Sequence, residues 1–148
     1  MNKLFVFGFL VFALIACSKD KFKTEPQVEI KSLSPSEVRK GGFFSLNAVV
    51  RDKEGDLQDS VYLVRKRFNG TSLLTVDTIR YNINAFGIPN KTQLELQVIF
   101  SYGEIREGAI FTNLEGSDRN FAVGIIVRDK AGNKSQYVES DKIVLKRL

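Results

Sequence analysis

The chain has 148 residues, a length typical of one domain, and a net charge of +5. It contains no His, which excludes His-dependent nucleophiles and zinc sites with His ligands, and its one Cys excludes an internal disulfide. The small basic excess predicts an ordinary charged surface and no nucleic-acid partner.

The first 16 residues have the pattern of a secretory signal peptide. Lys3 gives a basic start, and residues 4–16 follow as an unbroken apolar run of 13 residues. A membrane-spanning helix needs roughly 17–25 apolar residues, whereas the apolar run of a signal peptide has about 7–15. We therefore predict that residues 1–16 are a signal peptide that is removed on export.

The end of this segment resembles the lipobox of bacterial lipoproteins of the Bacteroidetes type. Residues 14–17 read Leu-Ile-Ala-Cys, with a leucine three positions before the cysteine and a small residue directly before it. The resemblance implies that cleavage leaves Cys17 as the acylated first residue, which anchors the mature protein to a membrane. This role also explains the single Cys, since an exported protein would otherwise carry a thiol without a disulfide partner.

Residues 17–27 are charged and have no apolar period, which predicts a tether between the lipid and a domain. Ser18, directly after the cysteine, resembles the choice in lipoproteins sent to the outer membrane. In Bacteroidetes lipoproteins an acidic cluster after the cysteine marks transfer to the cell surface, but here only Asp20 is acidic. We therefore expect a lipid anchor in the outer membrane, with the periplasmic and the cell-surface side both open.

Residues 28–148 form the predicted domain, in which apolar and polar residues alternate with the period of β-strands. The clearest alternation lies in residues 94–102, and Asn69-Gly70 is a strong hairpin signal. About seven short strands separated by turns predict an antiparallel β-sandwich, with a barrel as the alternative. The charged residues 65–67 are assigned to an edge strand, with the first and third on one face. The expected shared core is Phe44, Leu46, Val50, Leu96, Val98, Phe121, Val123, Ile125 and Val127.

One sequence pattern occurs twice in this domain. Residues 49–56 read Val-Val-Arg-Asp-Lys-Glu-Gly-Asp, and residues 126–133 read Ile-Val-Arg-Asp-Lys-Ala-Gly-Asn. The pattern resembles the second and sixth strands of bacterial immunoglobulin-like domains, although the chain has neither the Cys pair nor the Trp of antibody domains. The resemblance implies an all-β, immunoglobulin-like sandwich in which the two strands lie in facing sheets and their loops leave at one end.

The sequence predicts a binding protein and no enzyme. Its carboxylates cluster in turns, where they are normally solvated, and its glycines are dispersed, so neither a buried general acid nor a phosphate-binding loop is indicated. We expect no cofactor. Tyr81 and Phe86, in a long loop between two strands, are the predicted contacts for a protein or glycan partner at the cell envelope. The alternative is a structural spacer or accessory subunit of an outer-membrane assembly, and Phe43 and Phe111 are assigned to the core.

Residues 52–59 carry four carboxylates, from Asp52, Glu54, Asp56 and Asp59. Calcium takes about 6–8 oxygen ligands, and this segment lacks the spacing of an EF-hand loop. The repeat of the pattern at residues 129–133 keeps Asp, Gly and Asn but loses the other carboxylates. We therefore predict a structural turn capped by Asp, in which Gly allows a positive φ, and no metal; a calcium site at the four carboxylates is the alternative.

Overall fold

The computed structural model describes residues 24–87, 90–103, 109–111 and 117–147. The predicted signal peptide, Cys17 and most of the predicted tether lie outside these residues. In the described part the chain forms ten β-strands and one short 3-10 helix, Asn84–Phe86, and contains no helix with the length and apolar character needed to span a membrane. The strands are β1 (Gln27–Ser34), β2 (Glu37–Arg39), β3 (Phe43–Arg51), β4 (Ser60–Asn69), β5 (Ser72–Asn82), β6 (Gln93–Tyr102), β7 (Ala109–Phe111), β8 (Arg119–Arg128), β9 (Val138–Glu139) and β10 (Ile143–Lys146).

The strands form two sheets packed face to face. One sheet has the order β1-β3-β6-β7, and the other has the order β2-β10-β8-β4-β5, with β9 also pairing with β8. Neighbouring strands are antiparallel except for two parallel pairs, β6 with β7 and β10 with β2. The predicted all-β, antiparallel immunoglobulin-like sandwich is confirmed. β3 and β8, the strands that end in the repeated pattern, lie in different sheets, as the resemblance implied.

Alternating residues on the two sheets point into one shared core. Leu96 and Val98, on β6, only pack against the edge of this core. β7 pairs with residues 100–102 alone, so the first part of β6 lies at a side of the sandwich that the described residues leave open. The other predicted core residues are buried together: Phe44, Leu46, Val50, Phe121, Val123, Ile125 and Val127.

Phenylalanine rings join the two sheets inside the core. Phe44 stacks on Phe100 of the neighbouring strand with ring centroids 4.9 Å apart, and Phe111 meets Phe121 of the other sheet edge-on, also at 4.9 Å. Phe111 is therefore a core residue, as predicted. The prediction for Phe43 is wrong: its side chain is 45% exposed, because it alternates with that of Phe44 and points out of the sheet.

The charged run of residues 65–67 does not lie on an edge strand, so this prediction is also wrong. β4 pairs with β5 on one side and with β8 on the other. The predicted alternation is confirmed, since Arg65 lies over the buried Phe111 ring at 5.3 Å whereas Lys66 donates a hydrogen bond to Glu139 on the outer face. The strand at this edge of the sheet is β5, which follows β4 through a tight turn at Gly70.

Candidate functional site

An aspartate organises the turn that follows β3, which we call the β3 turn (residues 52–56). Asp52 Oδ2 accepts hydrogen bonds from the backbone N–H groups of Gly55 and Asp56, at 2.8 and 3.2 Å. Gly55 has a φ of 72°, a conformation that residues with a Cβ rarely adopt. The carboxylate therefore caps its own turn, as the sequence predicts.

The turn that follows β8, the β8 turn (residues 129–133), is built in the same way. Asp129 Oδ1 accepts a hydrogen bond from the backbone N–H of Asn133 at 2.7 Å, and its Oδ2 accepts one from Asn133 Nδ2 at 2.9 Å. Gly132 has a φ of 94°. The repeated sequence pattern therefore encodes the same local requirement twice, an Asp cap and a glycine with positive φ.

The sandwich brings these two turns into contact. The backbone N–H of Lys130 donates a hydrogen bond to the carbonyl of Asp56 at 3.1 Å. Asp52, Asp56 and Asp129 each place one carboxylate oxygen within 4.8 Å of the others, and we call these three residues the Asp cluster. Asp52 is only 3% exposed and Asp129 only 1%, whereas Asp56 is half-buried. Two buried carboxylates at one place are unusual, because burying an ionised group is costly unless it is compensated.

The cluster differs from the four carboxylates that the sequence groups together. Of those four, Asp52 and Asp56 meet, and Asp129 joins them from the other sheet. Glu54 is exposed. Asp59 instead approaches two arginines, with Oδ1 3.6 Å from Arg80 Nη2 and Oδ2 3.2 Å from Arg128 Nη1. The sequence signal for Asp129 was the repeated pattern itself, but only the tertiary structure shows that the two carboxylates meet.

The predicted contact residues Tyr81 and Phe86 have different environments. The prediction that Tyr81 lies in a loop is wrong, because β5 continues to Asn82 and Tyr81 pairs with Val61. Its side chain packs, partly buried, against the core. Phe86 ends the 3-10 helix and is 72% exposed, followed by Gly87 in the left-handed conformation. Of the two, only Phe86 presents most of its ring to solvent.

A second exposed apolar region lies along the edge strand. Leu73, Leu74 and Val76 on β5 are each 47–50% exposed, and we call them the β5 surface. No strand in the described part of the chain pairs with the outer edge of β5. The sequence predicts a strand here but does not mark these residues as exposed, because the position of β5 at an edge depends on the order of the strands in the sheet.

The end of the sandwich that carries the Asp cluster is also the end at which the chain enters the domain. Gln27, the first residue of β1, pairs with Arg51, the last residue of β3. Asn133 Nδ2, in the β8 turn, lies 3.4 Å from the carbonyl oxygen of Thr24. The 3-10 helix lies at this end too, since Asn82 at the end of β5 pairs with Ser60 at the start of β4.

An apolar cavity of about 150 Å³ opens between the sheets near this end. Small-molecule sites usually have volumes of roughly 300–1,000 Å³ and several convergent polar groups. This cavity is smaller and almost wholly apolar, so we assign it no ligand. Its lining residues are Val50, Leu57, Val61, Ile83, Leu94, Glu95, Leu96 and Val127.

No protein-family model matches the chain, and no curated protein matches it in sequence. Among solved structures, the sporulation control protein Spo0M from Bacillus subtilis is similar over 84% of this chain and 50% of its own, with 11% identity and a TM-score of 0.46. The alkylpurine DNA glycosylase AlkC from Pseudomonas fluorescens is similar over 84% and 31%, with 10% identity and a TM-score of 0.46.

A CARDB domain from Pyrococcus furiosus, solved in complex with di-metal ions, is similar over 84% of this chain and 88% of its own, with 13% identity and a TM-score of 0.30. The coverages given above mean that this chain spans about half the length of Spo0M and less than a third of that of AlkC. Identities and scores this low assign no activity or ligand to this chain. The class of protein, an immunoglobulin-like β-sandwich, is defined by its own strand order.

Proposed function

We propose that the chain is a lipoprotein anchored to the outer membrane through Cys17, whose β-sandwich binds a protein partner at the cell envelope without catalysis. The anchor is supported by the order of basic start, apolar run, small residue and cysteine in residues 1–17. Anchoring by two or three acyl chains is stable, since each buried methylene contributes about 0.8 kcal/mol.

The β5 surface is the single observation that carries the binding proposal. Exposed edge strands offer unpaired backbone groups to other chains, and proteins usually protect them with charges, prolines or short length. β5 is 11 residues long, contains no proline and carries only two charged residues, Asp77 and Arg80. An edge of this kind suits a protein partner that adds a strand and covers Leu73, Leu74 and Val76.

The exposed ring of Phe86 is a second contact for such a partner. Aromatic side chains offer a large contact area at low cost in conformational entropy. Phe86 follows β5 by four residues, so a partner that reaches the end of this strand also reaches the 3-10 helix. A glycan partner would use the ring of Phe86 and not the β5 surface, because stacking on a sugar needs an aromatic ring and makes no use of a strand edge.

A role as an accessory subunit of an outer-membrane assembly is the second candidate. In that case another subunit covers the β5 surface permanently, as at obligate interfaces, which are larger and more apolar than transient ones. Purification from surfactant-solubilised membranes distinguishes the two roles. A partner that stays in fixed ratio through size exclusion indicates a subunit, whereas a partner lost on dilution indicates reversible binding.

The anchor is tested by Cys17→Ala, with Ser18→Ala as the matched control. We expect the Cys17→Ala chain to remain an unprocessed precursor that incorporates no labelled palmitate, while Ser18→Ala is processed and labelled. A Cys17→Ala chain that matures to the wild-type mass and stays on membranes to the same extent contradicts the anchor.

The binding surface is tested by capture of envelope proteins from solubilised membranes on the purified chain. Val76→Lys places a charge within the β5 surface, and we expect at least a tenfold loss of affinity for the captured partner. Ile99→Lys is the matched control, because Ile99 is an exposed apolar residue on the other sheet. Equal binding by both variants contradicts the β5 surface, and competition by soluble glycans would assign the site to a sugar.

A further inference from the structure

We propose that the Asp cluster is a calcium site shared by the β3 and β8 turns. Its protein ligands are carboxylate oxygens of Asp52, Asp56 and Asp129. This site is independent of the proposed partner binding. It differs from a calcium site at the four carboxylates of residues 52–59, because one ligand comes from the other sheet.

The spacing of the three oxygens fits one coordination sphere. Calcium binds oxygen at about 2.3–2.6 Å, so two ligands on opposite sides of the ion are at most about 4.6–5.2 Å apart. The cluster oxygens lie within 4.8 Å of one another. Magnesium demands near-ideal octahedral geometry and loses its bound water reluctantly, whereas calcium accepts flexible sets of carboxylate ligands. The cluster therefore fits a calcium ion.

The second, independent observation is a buried oxygen without a hydrogen-bond partner. Asp52 is 3% exposed, and its Oδ1 accepts no hydrogen bond from any described residue. Its Oδ2 already caps the β3 turn, through Gly55 and Asp56. A buried polar atom without a partner costs about 1–3 kcal/mol, and more when it is charged. In this proposal Asp52 Oδ1 binds the cation, so the cap and the ligand use different oxygens of one carboxylate and both roles are compatible.

The charges around the cluster also favour a bound cation. Asp59, nearby in the chain, is paired with Arg80 and Arg128. In the described part of the chain, no Lys or Arg forms an ion pair with any of the three cluster carboxylates. A divalent cation supplies the positive charge that these carboxylates lack.

Asp56 is the cluster member that reaches the surface, since it is only half-buried. Its Oδ1 is buried and, like Asp52 Oδ1, has no hydrogen-bond partner among the described residues. Calcium takes 6–8 oxygens, and the three carboxylates do not fill all these positions when each binds through one oxygen. Water at the side of Asp56 completes the shell in this proposal.

The experiment is calorimetric titration of the full chain, purified in detergent, with CaCl₂ and separately with MgCl₂. We expect one calcium ion per chain with a Kd of about 10⁻⁴–10⁻³ M, the range of extracellular modules, and weaker binding of magnesium. The Tm in 10 mM CaCl₂ is expected to be about 3–10 °C higher than in EDTA.

Asp52→Asn separates the two roles of Asp52. The amide oxygen still accepts the hydrogen bonds of the turn, whereas the amide NH₂ replaces the unpartnered oxygen and cannot bind a cation. We expect Asp52→Asn to fold and to lose at least tenfold in calcium affinity, together with the difference in Tm between calcium and EDTA. Asp56→Asn, at the half-exposed member, is the second variant and is expected to show the same loss.

Glu54→Gln is the matched control, since Glu54 is an exposed carboxylate in the same turn. It is expected to bind calcium like the wild type. Three results would overturn the proposal: no heat of binding and no change of Tm in the wild type, wild-type affinity in Asp56→Asn, or an equal loss in Glu54→Gln. The first of these results would indicate that a buried water molecule, and no cation, is the partner of Asp52 Oδ1.

Discussion

The ring of Tyr137 lies directly on the backbone of Gly124. A Cβ atom at Gly124 would overlap three atoms of this ring, Cε2, Cζ and Oη. Gly124 belongs to β8, and Tyr137 precedes β9, which pairs with β8 at this point. The glycine is therefore needed for a close approach between a side chain and a strand, and its backbone does not have a positive φ.

We predict that Gly124→Ala destabilises the domain by about 1–3 kcal/mol, because the added methyl group displaces the Tyr137 ring. Urea unfolding measures this loss. Tyr137→Ala removes the obstacle, so the double variant should lose less free energy than the sum of the two single variants. A loss below about 0.5 kcal/mol for Gly124→Ala would contradict the close approach.

The Tyr137 ring belongs to a polar network on the outer face of the sheet. Lys66 Nζ lies 4.7 Å from the centroid of the Tyr137 ring, and Glu139 accepts hydrogen bonds from both Lys66 and Tyr137. Burial raises the pKa of Glu139, but these hydrogen bonds outweigh burial and hold it below its usual value. The hydrogen bond to Glu139 raises the pKa of Lys66.

We predict a stability contribution of about 0.5–1.5 kcal/mol from the Lys66–Glu139 pair at pH 7. A carboxyl with a lowered pKa stabilises the fold above its unfolded pKa, near 4.5, and the contribution disappears as the pH falls through the folded pKa. Glu139→Gln should therefore be less stable than wild type at pH 7, with a difference that shrinks towards pH 3. A constant difference across this range would contradict the prediction. Glu29→Gln, at an exposed ion pair, should have the smaller effect.

The loss of unfolding free energy on truncation should follow how deeply each side chain is buried. Val123 is fully buried, and Val123→Ala should cost about 1–3 kcal/mol. Truncation of a fully buried leucine to alanine lowers the unfolding free energy by about 2–5 kcal/mol. Leu96 is only partly buried against the core, so Leu96→Ala should cost less. Glu95→Ala, at an exposed site on the same strand, should stay within about 0.5 kcal/mol. Chemical denaturation of the three variants decides the order.

Variants at Tyr81 and Phe86 should differ in their effects on stability and on partner binding. Tyr81→Ala removes a ring packed against the core and is expected to cost about 1–3 kcal/mol in unfolding free energy. Phe86→Ala removes an exposed ring and should leave stability within about 0.5 kcal/mol while it weakens partner binding. Phe86→Ala with unchanged affinity for the captured partner would remove this residue from the contact region.

The strands, and most of the core, follow from the sequence because the side-chain period of a strand is two. Once one residue of β3 or β8 faces inward, its neighbours two positions away do so as well. The same rule fixes the exposure of Phe43, which points out of the sheet because Phe44 points in. The prediction for Phe43 rests on the general tendency of Phe to be buried, and the alternation along the strand overrides this tendency.

The position of a strand within its sheet does not follow from its own sequence. The charges of residues 65–67 are typical of an edge, yet β4 is central and the apolar β5 is at the edge. Strand order results from long-range pairing, and Arg65 is accommodated inside by the Phe111 ring. A charge pattern read locally contains no information about this pairing.

The sequence by itself determined the class of fold, the strand periods and the two Asp-capped turns, because each depends on residues close together in the chain. Only the tertiary structure decided that Asp52 and Asp129 meet, that Tyr137 covers Gly124 and that β5 is exposed. These relationships join residues of different strands, and their energy is gained only when the sheets have formed and packed. Side chains distant in the chain then share one environment, and their burial and charge depend on neighbours that no local pattern specifies.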